Sequence, residues 1–204
     1  MIKKLFLIAG TAVLAGAANA GWYTNEADFV SALSGSYYKE TFDNFTYGDP
    51  LDGSMTDWSA PGGNGYGWSA NAPQGLWSND GALSTNVAYD PLTFTFTGNP
   101  VTAFGGLLAA SDISGNVISG TLTLTLSDGS SQTVNTSGSF LGWTGSAAIT
   151  SVTMTVADPG DGVFRWNQID NVYTGASTVP EPASMIALGL GAAAMLRRRR
   201  AAKK

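Results

Sequence analysis

From Leu92 to Val156 the chain repeatedly alternates apolar and polar residues with a period of two. In PLTFTFTG, Leu92, Phe94 and Phe96 fall on one face and Thr93, Thr95 and Thr97 on the other, the pattern of a half-buried strand. TLTLTLSDGSSQTV repeats it with Leu122, Leu124 and Leu126, breaks at Asp128-Gly129 and resumes through Val134, which predicts a hairpin. AITSVTMTVADPGDG sets Val152, Met154 and Val156 on one face, followed by Pro159 to Gly162, most simply a hairpin turn. VFRWNQIDNVYTG closes the series as an aromatic-rich strand, in which Ile169 and Val172 stand three apart and break strict alternation. Either both faces are buried there, or a bulge re-aims Asp170 and Asn171. Short strands punctuated by Gly, Asn and Asp predict a mainly β fold, an antiparallel β-sandwich.

One short N-terminal helix is expected in TNEADFVSALSG. Thr24 or Asn25 caps it, Glu26 and Asp28 occupy its first turn, Phe29 and Leu33 share a face, and Gly35 ends it. The stretch from Asp43 to Asp90, centred on WSAPGGNGYGWSANAPQGLWSND, shows no usable period and reads as long loops with one or two short strands. Loops of that length in a compact domain are usually functional or poorly ordered.

The two ends follow different rules. Lys3 and Lys4 precede a mostly apolar stretch from Leu5 to about Ala17, and Ala18-Asn19-Ala20 follows: the three parts of a secretory signal peptide, with cleavage by signal peptidase expected after Ala20. At the other end, Ala183 to Leu196 is an uncharged, fourteen-residue apolar run. As a helix it reaches about 21 Å at 1.5 Å per residue, short of the roughly 30 Å hydrocarbon core. Such a segment suits transient insertion, with Arg197, Arg198, Arg199 and Arg200 held on the cytoplasmic side. Pro180 and Pro182 keep the residues before it extended, a shape that a protease grips easily. The expected organisation is a signal peptide over 1–20, a β-sandwich domain over 21–178 and a sorting segment over 179–204.

Composition removes whole classes of function. The chain has no Cys and no His, so Ser-His-Asp and Cys-His catalysis, His-ligated zinc and the commonest neutral-pH general base are all absent. Between Gly21 and Thr178 fourteen carboxylates face two cations, Lys39 and Arg165, a net charge of −12. A domain so acidic repels phosphate backbones, which excludes nucleic acid as a partner. The same charge is compatible with hard divalent cations.

Val179-Pro180-Glu181-Pro182, the Gly- and Ala-containing apolar segment and the terminal Arg cluster resemble the PEP-CTERM sorting signal of exported bacterial proteins. That resemblance implies a membrane-embedded exosortase as partner and transient anchoring in the inner membrane of a Gram-negative, exopolysaccharide-producing cell. The destination it implies is the cell surface, outer envelope or extracellular matrix, as in a biofilm.

The segments ETFDNF, VTAFGGLL, LTLTLSDGSSQTV, FLGWTGSAAITSVTMTV and IDNVYTG resemble, less specifically, β-sandwich domains that precede such tails. IDNVYTG also resembles jelly-roll carbohydrate-binding modules, so the sandwich is expected to be jelly-roll-like. In several of those families an acidic residue near the closing strand and one near the opening strand share a structural calcium ion. Asp170 paired with Glu40 or Asp43, helped by backbone carbonyls, is the candidate here, against the alternative that Asp170 caps a turn through backbone N–H groups.

Trp58, Tyr66, Trp68 and Trp77, near Asn64, Asn71 and Asn79, are candidates for stacking on an extracellular polysaccharide, against the alternative that they plug the ends of the sandwich. Glu40 with Asp43 or Asp170 is a poor glycosidase pair, because a carboxylate pair of unknown separation is no mechanism. The expected protein is an exported, non-enzymatic structural or adhesive one, the rival being a carbohydrate-binding module.

Overall fold

Alternation becomes pairing in the computed structural model, which describes residues 21–178 together with Gly191. The signal segment with Ala18 and Ala20, the apolar run after Ala183, and Pro180, Glu181, Pro182 and Arg197 to Arg200 lie outside the described residues. Among the described residues no helix is long and apolar enough to cross a membrane.

In chain order the elements are β1 (Gly21–Tyr23), α1 (Glu26–Ser31), β2 (Leu33–Glu40), β3 (Asp57–Ser59), β4 (Tyr66–Asn71), β5 (Leu76–Asn79), β6 (Ala82–Thr85) and β7 (Leu92–Gly98). They continue with β8 (Val101–Ser111), β9 (Val117–Ile118), β10 (Gly120–Leu126), β11 (Ser131–Thr136), β12 (Ser139–Ile149), β13 (Ser151–Val156) and β14 (Trp166–Ser177). One sheet runs β1-β12-β8-β14-β6-β5, with β2 added on β14 and β9 on β8; the other runs β11-β10-β13-β7-β4-β3. Every pairing is antiparallel. The two sheets pack as a β-sandwich.

The expected apolar faces form its centre. Leu92 and Phe94, Leu122, Leu124 and Leu126, and Val152, Met154 and Val156 join Leu83, Phe104, Leu108, Ile169 and Val172 in one cluster. The outward face of the six-stranded sheet carries the interleaved hydroxyls, with Thr93 and Thr153 bonded across strands at 3.1 Å and Thr123 and Thr133 at 2.7 Å. The hairpin at Asp128-Gly129 is present: Gly129 has φ of +89°, and Asp128 Oδ1 accepts from Ser130 N at 2.8 Å.

Four expectations need correction. Asn25 caps α1, accepting from Asp28 N at 3.1 Å, but the helix stops at Ser31 instead of reaching Gly35. Strand pairing captures the next residues: Leu33 opposes Ser177, and Gly35, at φ of +76°, sits where the β2–β14 register shifts. Leu33 still joins Phe29, from the strand. The stretch from Asp43 to Asp90 holds four strands, not one or two. In β4 burial alternates strictly, Tyr66, Trp68 and Ala70 inward, a period of two hidden by Gly67 and Ser69. The closing strand begins at Trp166, not Val163.

The fourth concerns Ala157 to Arg165, which is no hairpin turn but a crossover from β13 in one sheet to β14 in the other. Arg165 holds it, donating through Nη1 and Nη2 to Asp161 at 2.9 and 2.7 Å and through Nε to Ser119 O at 3.0 Å. The guanidinium lowers the Asp161 carboxyl to a pKa of about 2. Because this value lies below the ordinary one, the stabilisation is complete above about pH 4 and disappears as pH falls towards 2. Melting curves are therefore expected to show the native protein losing more Tm between pH 4 and pH 2 than an Asp161→Asn variant. Equal losses would contradict the assignment.

A second, smaller core lies on the outward face of the eight-stranded sheet, where α1 lays Phe29 against Leu33, Ala103, Phe140 and Tyr173. Gly105 and Gly142 oppose each other beneath the Phe29 ring, and a Cβ on Gly142 would come within 2.5 Å of Phe29 Cδ2. The bare backbone of two glycines lets the helix seat this close.

Candidate functional site

The Ile169–Val172 irregularity is a one-residue bulge: β14 shifts register against β8 between Asp170 and Tyr173, with Asn171 at φ of +51°. The extra residue returns Ile169 and Val172 to the same buried face. At that point the neighbour of β14 changes from β6 to β2. Asp170 stabilises the kink, its two oxygens accepting from Asn171 N and, at 2.6 Å, from Asn171 Nδ2. Burial raises its pKa above the ordinary carboxylate value; Asp43 and Glu26 add to this, while the Asn171 N–H and Lys39 oppose it.

Glu40 and Asp43, the other two calcium candidates, also have hydrogen-bond partners close in sequence. Glu40 accepts from Phe42 N at 3.1 Å and from the Tyr38 hydroxyl, and Asp43 accepts from Thr41 Oγ1 at 2.7 Å. Burial, followed by the Glu40 carboxylate, pushes the Tyr38 phenol well above its usual range. Among the described residues no three carboxylates group in a way that holds a metal ion.

The four aromatic candidates do not share one surface. Trp68 is 1% exposed and Tyr66 9%, both inward on β4. Trp58 on β3 is half-buried at the rim of the same core, edge-on to Phe45 at 5.2 Å and to Trp68 at 5.5 Å. Trp77 alone belongs elsewhere, on the outward face of the eight-stranded sheet.

Trp77, Ser84 and Gln168 stand opposite one another across β5, β6 and β14, and Trp166, two residues before Gln168, shares their face. The reverse face carries Leu76, Leu83 and Ile169 of the main core. Two loops rise beside this surface. One brings Tyr47, whose ring meets Trp77 edge-on at 5.2 Å; the other, Asp112 to Asn116, brings Ile113. The Tyr47 hydroxyl donates to Ile113 O at 3.2 Å and ties the loops together. Asp112 fixes the second loop, accepting from Ser114 N at 2.8 Å and Asn116 N at 3.0 Å, and these bonds, the Asn116 side chain's first, hold its pKa below the ordinary value. The result is a cleft of about 180 Å³ lined by indole, phenol, amide and hydroxyl groups.

Tyr47, Asn86, Ile113 and Trp166 were not among the sequence candidates. Trp166 is visible in the sequence as part of a strand, but its partnership with Trp77 depends on the β14-β6-β5 pairing, between segments some eighty residues apart. Exposure is the signal that marks two of the others, Ile113 at 75% and Tyr47 at 52%, whereas Asn86 is half-buried.

Sheets and cleft define an acidic, antiparallel sandwich with an aromatic-lined recess on the outward face of its larger sheet. The comparisons add the address: the family model described as a PEP-CTERM protein-sorting motif matches residues 178–200. The chain carries that sorting motif, which supports an exported protein handled by an exosortase, sorted through the membrane and transiently anchored by its C-terminal segment. Comparison with curated proteins and with solved structures gives no match.

Proposed function

We propose that this is a non-enzymatic protein of the cell surface or extracellular matrix of an exopolysaccharide-producing bacterium, with a structural or adhesive role exerted by the β-sandwich. The sorting motif at residues 178–200 carries the reading. The motif's first residue directly follows Ser177, the last residue of β14. Separation of the tail at Pro180-Glu181-Pro182 would thus leave every strand of the described residues in place. The absence of Cys and His supports a non-catalytic role.

Intact-mass measurement on protein recovered from fractionated native cells tests this. The sandwich is expected in the surface or matrix fraction, beginning at Gly21. A variant with Pro180, Glu181 and Pro182 all replaced by Ala is expected to stay with the inner membrane, tail attached. Folded protein in the cytosol with both ends intact would overturn the proposal.

A further inference from the structure

We infer that the cleft between Trp77 and Trp166 binds an uncharged sugar ring of a polysaccharide. This deepens the extracellular reading and rests on it only for where the ligand is met.

Chemistry argues for a sugar. A pyranose has apolar C–H faces and a polar equator, so its site needs aromatic walls next to fixed amide and hydroxyl groups. Trp77, Trp166 and Tyr47 supply the walls, and Asn86 and Ser84 line the space between. The walls are held in place: Trp166 Nε1 donates to Asn86 O at 3.1 Å, and the outer edge of Trp77 lies 3.4 Å from where a side chain on Gly48 would begin. A site that is rigid before binding loses little entropy on binding. Its volume is below the roughly 300–1,000 Å³ of pockets that enclose drug-sized molecules, and it is open along the rim that Ile113 and Tyr47 expose. It suits one ring of a longer chain passing across it.

Charge decides the class of sugar. Asp112 places a carboxylate at the cleft, and no cation lines it. The cations among residues 21–178 are engaged elsewhere, Lys39 with Glu26 at 3.5 Å and Arg165 with Asp161 at 2.7 Å. A uronate, sulfated or phosphorylated polymer would approach a domain of net charge −12 without a counter-charge to meet it. Neutral hexoses and N-acetylated hexosamines have no such barrier.

The full chain titrated by calorimetry with hexasaccharides of glucose, mannose, galactose and N-acetylglucosamine, and with polyuronate as the anionic probe, tests the inference. Binding of at least one neutral hexasaccharide and none of polyuronate is expected. Trp77→Ala is expected to weaken that binding at least tenfold. Tyr47→Ala removes a wall and should weaken it as well, and Ile113→Arg, a change at a rim residue 75% exposed, should do the same with Tm unchanged, which guards against a Trp77 variant that misfolds. No binding by any neutral probe, binding of polyuronate at equal strength, or neutral binding that survives all three substitutions would each overturn the assignment. None of these failures touches the sorting proposal, which is read from mass and location.

Discussion

Trp68→Ala is expected to destabilise the sandwich by about 3–5 kcal/mol, the range for removing a large buried aromatic. The ring is 1% exposed and lies between the sheets, 5.1 Å from Phe94, 5.5 Å from Trp58 and 6.1 Å from Phe42. A domain of this size has about 5–15 kcal/mol to lose, so the variant should unfold at much lower urea, followed by far-UV circular dichroism. Trp68 Nε1 has no hydrogen-bond partner among the described residues. An unpaired buried donor costs about 1–3 kcal/mol, so Trp68→Phe, which removes it and keeps most of the ring, should cost much less than alanine. A loss under about 1 kcal/mol for Trp68→Ala would mean that the side chain faces solvent and is free to stack on a ligand.

Phe29→Ala is expected to cost a similar amount, about 3–5 kcal/mol, but to act locally. Phe29 is fully buried and touches Tyr23, Phe140 and Tyr173, with ring centroids 5.3–5.9 Å apart. It is the only buried residue of a six-residue helix, and a helix so short has no stability of its own. Amide exchange should therefore show α1 losing protection while β10 and β13, on the far sheet, keep theirs. Gly142→Val attacks the same contact from beneath, since a side chain there overlaps the ring, and should cost about 1–3 kcal/mol. Uniform loss of protection across both sheets in Phe29→Ala would show that α1 is integral to the sandwich, not docked on it.

The legible part of this fold was the part in which bulky apolar residues alternate with threonine. β7, β10 and β13 declare their inward faces because a period of two with large side chains has no other stable reading. β4 obeys the same rule but was masked, since its outward positions are Gly67, Ser69 and Asn71, residues shared with loops. Helix α1 began where Asn25 predicted and ended early because a distant strand, β14, competes for Leu33 through pairing that local sequence does not encode. The break in period at Asp170 predicts either two buried faces or a bulge, and the register shift shows the bulge, with the Asp170 carboxylate accepting from Asn171 N. Of the aromatic candidates, only Trp77 lines the cleft. The other lining groups converge through register across three strands and contact between two loops, which are properties of the assembled sheet.

Strand β14, which touches β8, β6 and β2, is also the last element before the sorting segment. A ribosome or a translocation channel therefore delivers the middle of the larger sheet after everything meant to flank it. β1 must find β12 and β2 must find β14, across more than a hundred residues, and such distant pairing makes closure slow. Until that final strand emerges, β8, β6 and β2 lack the partner they share, and the larger sheet has no centre.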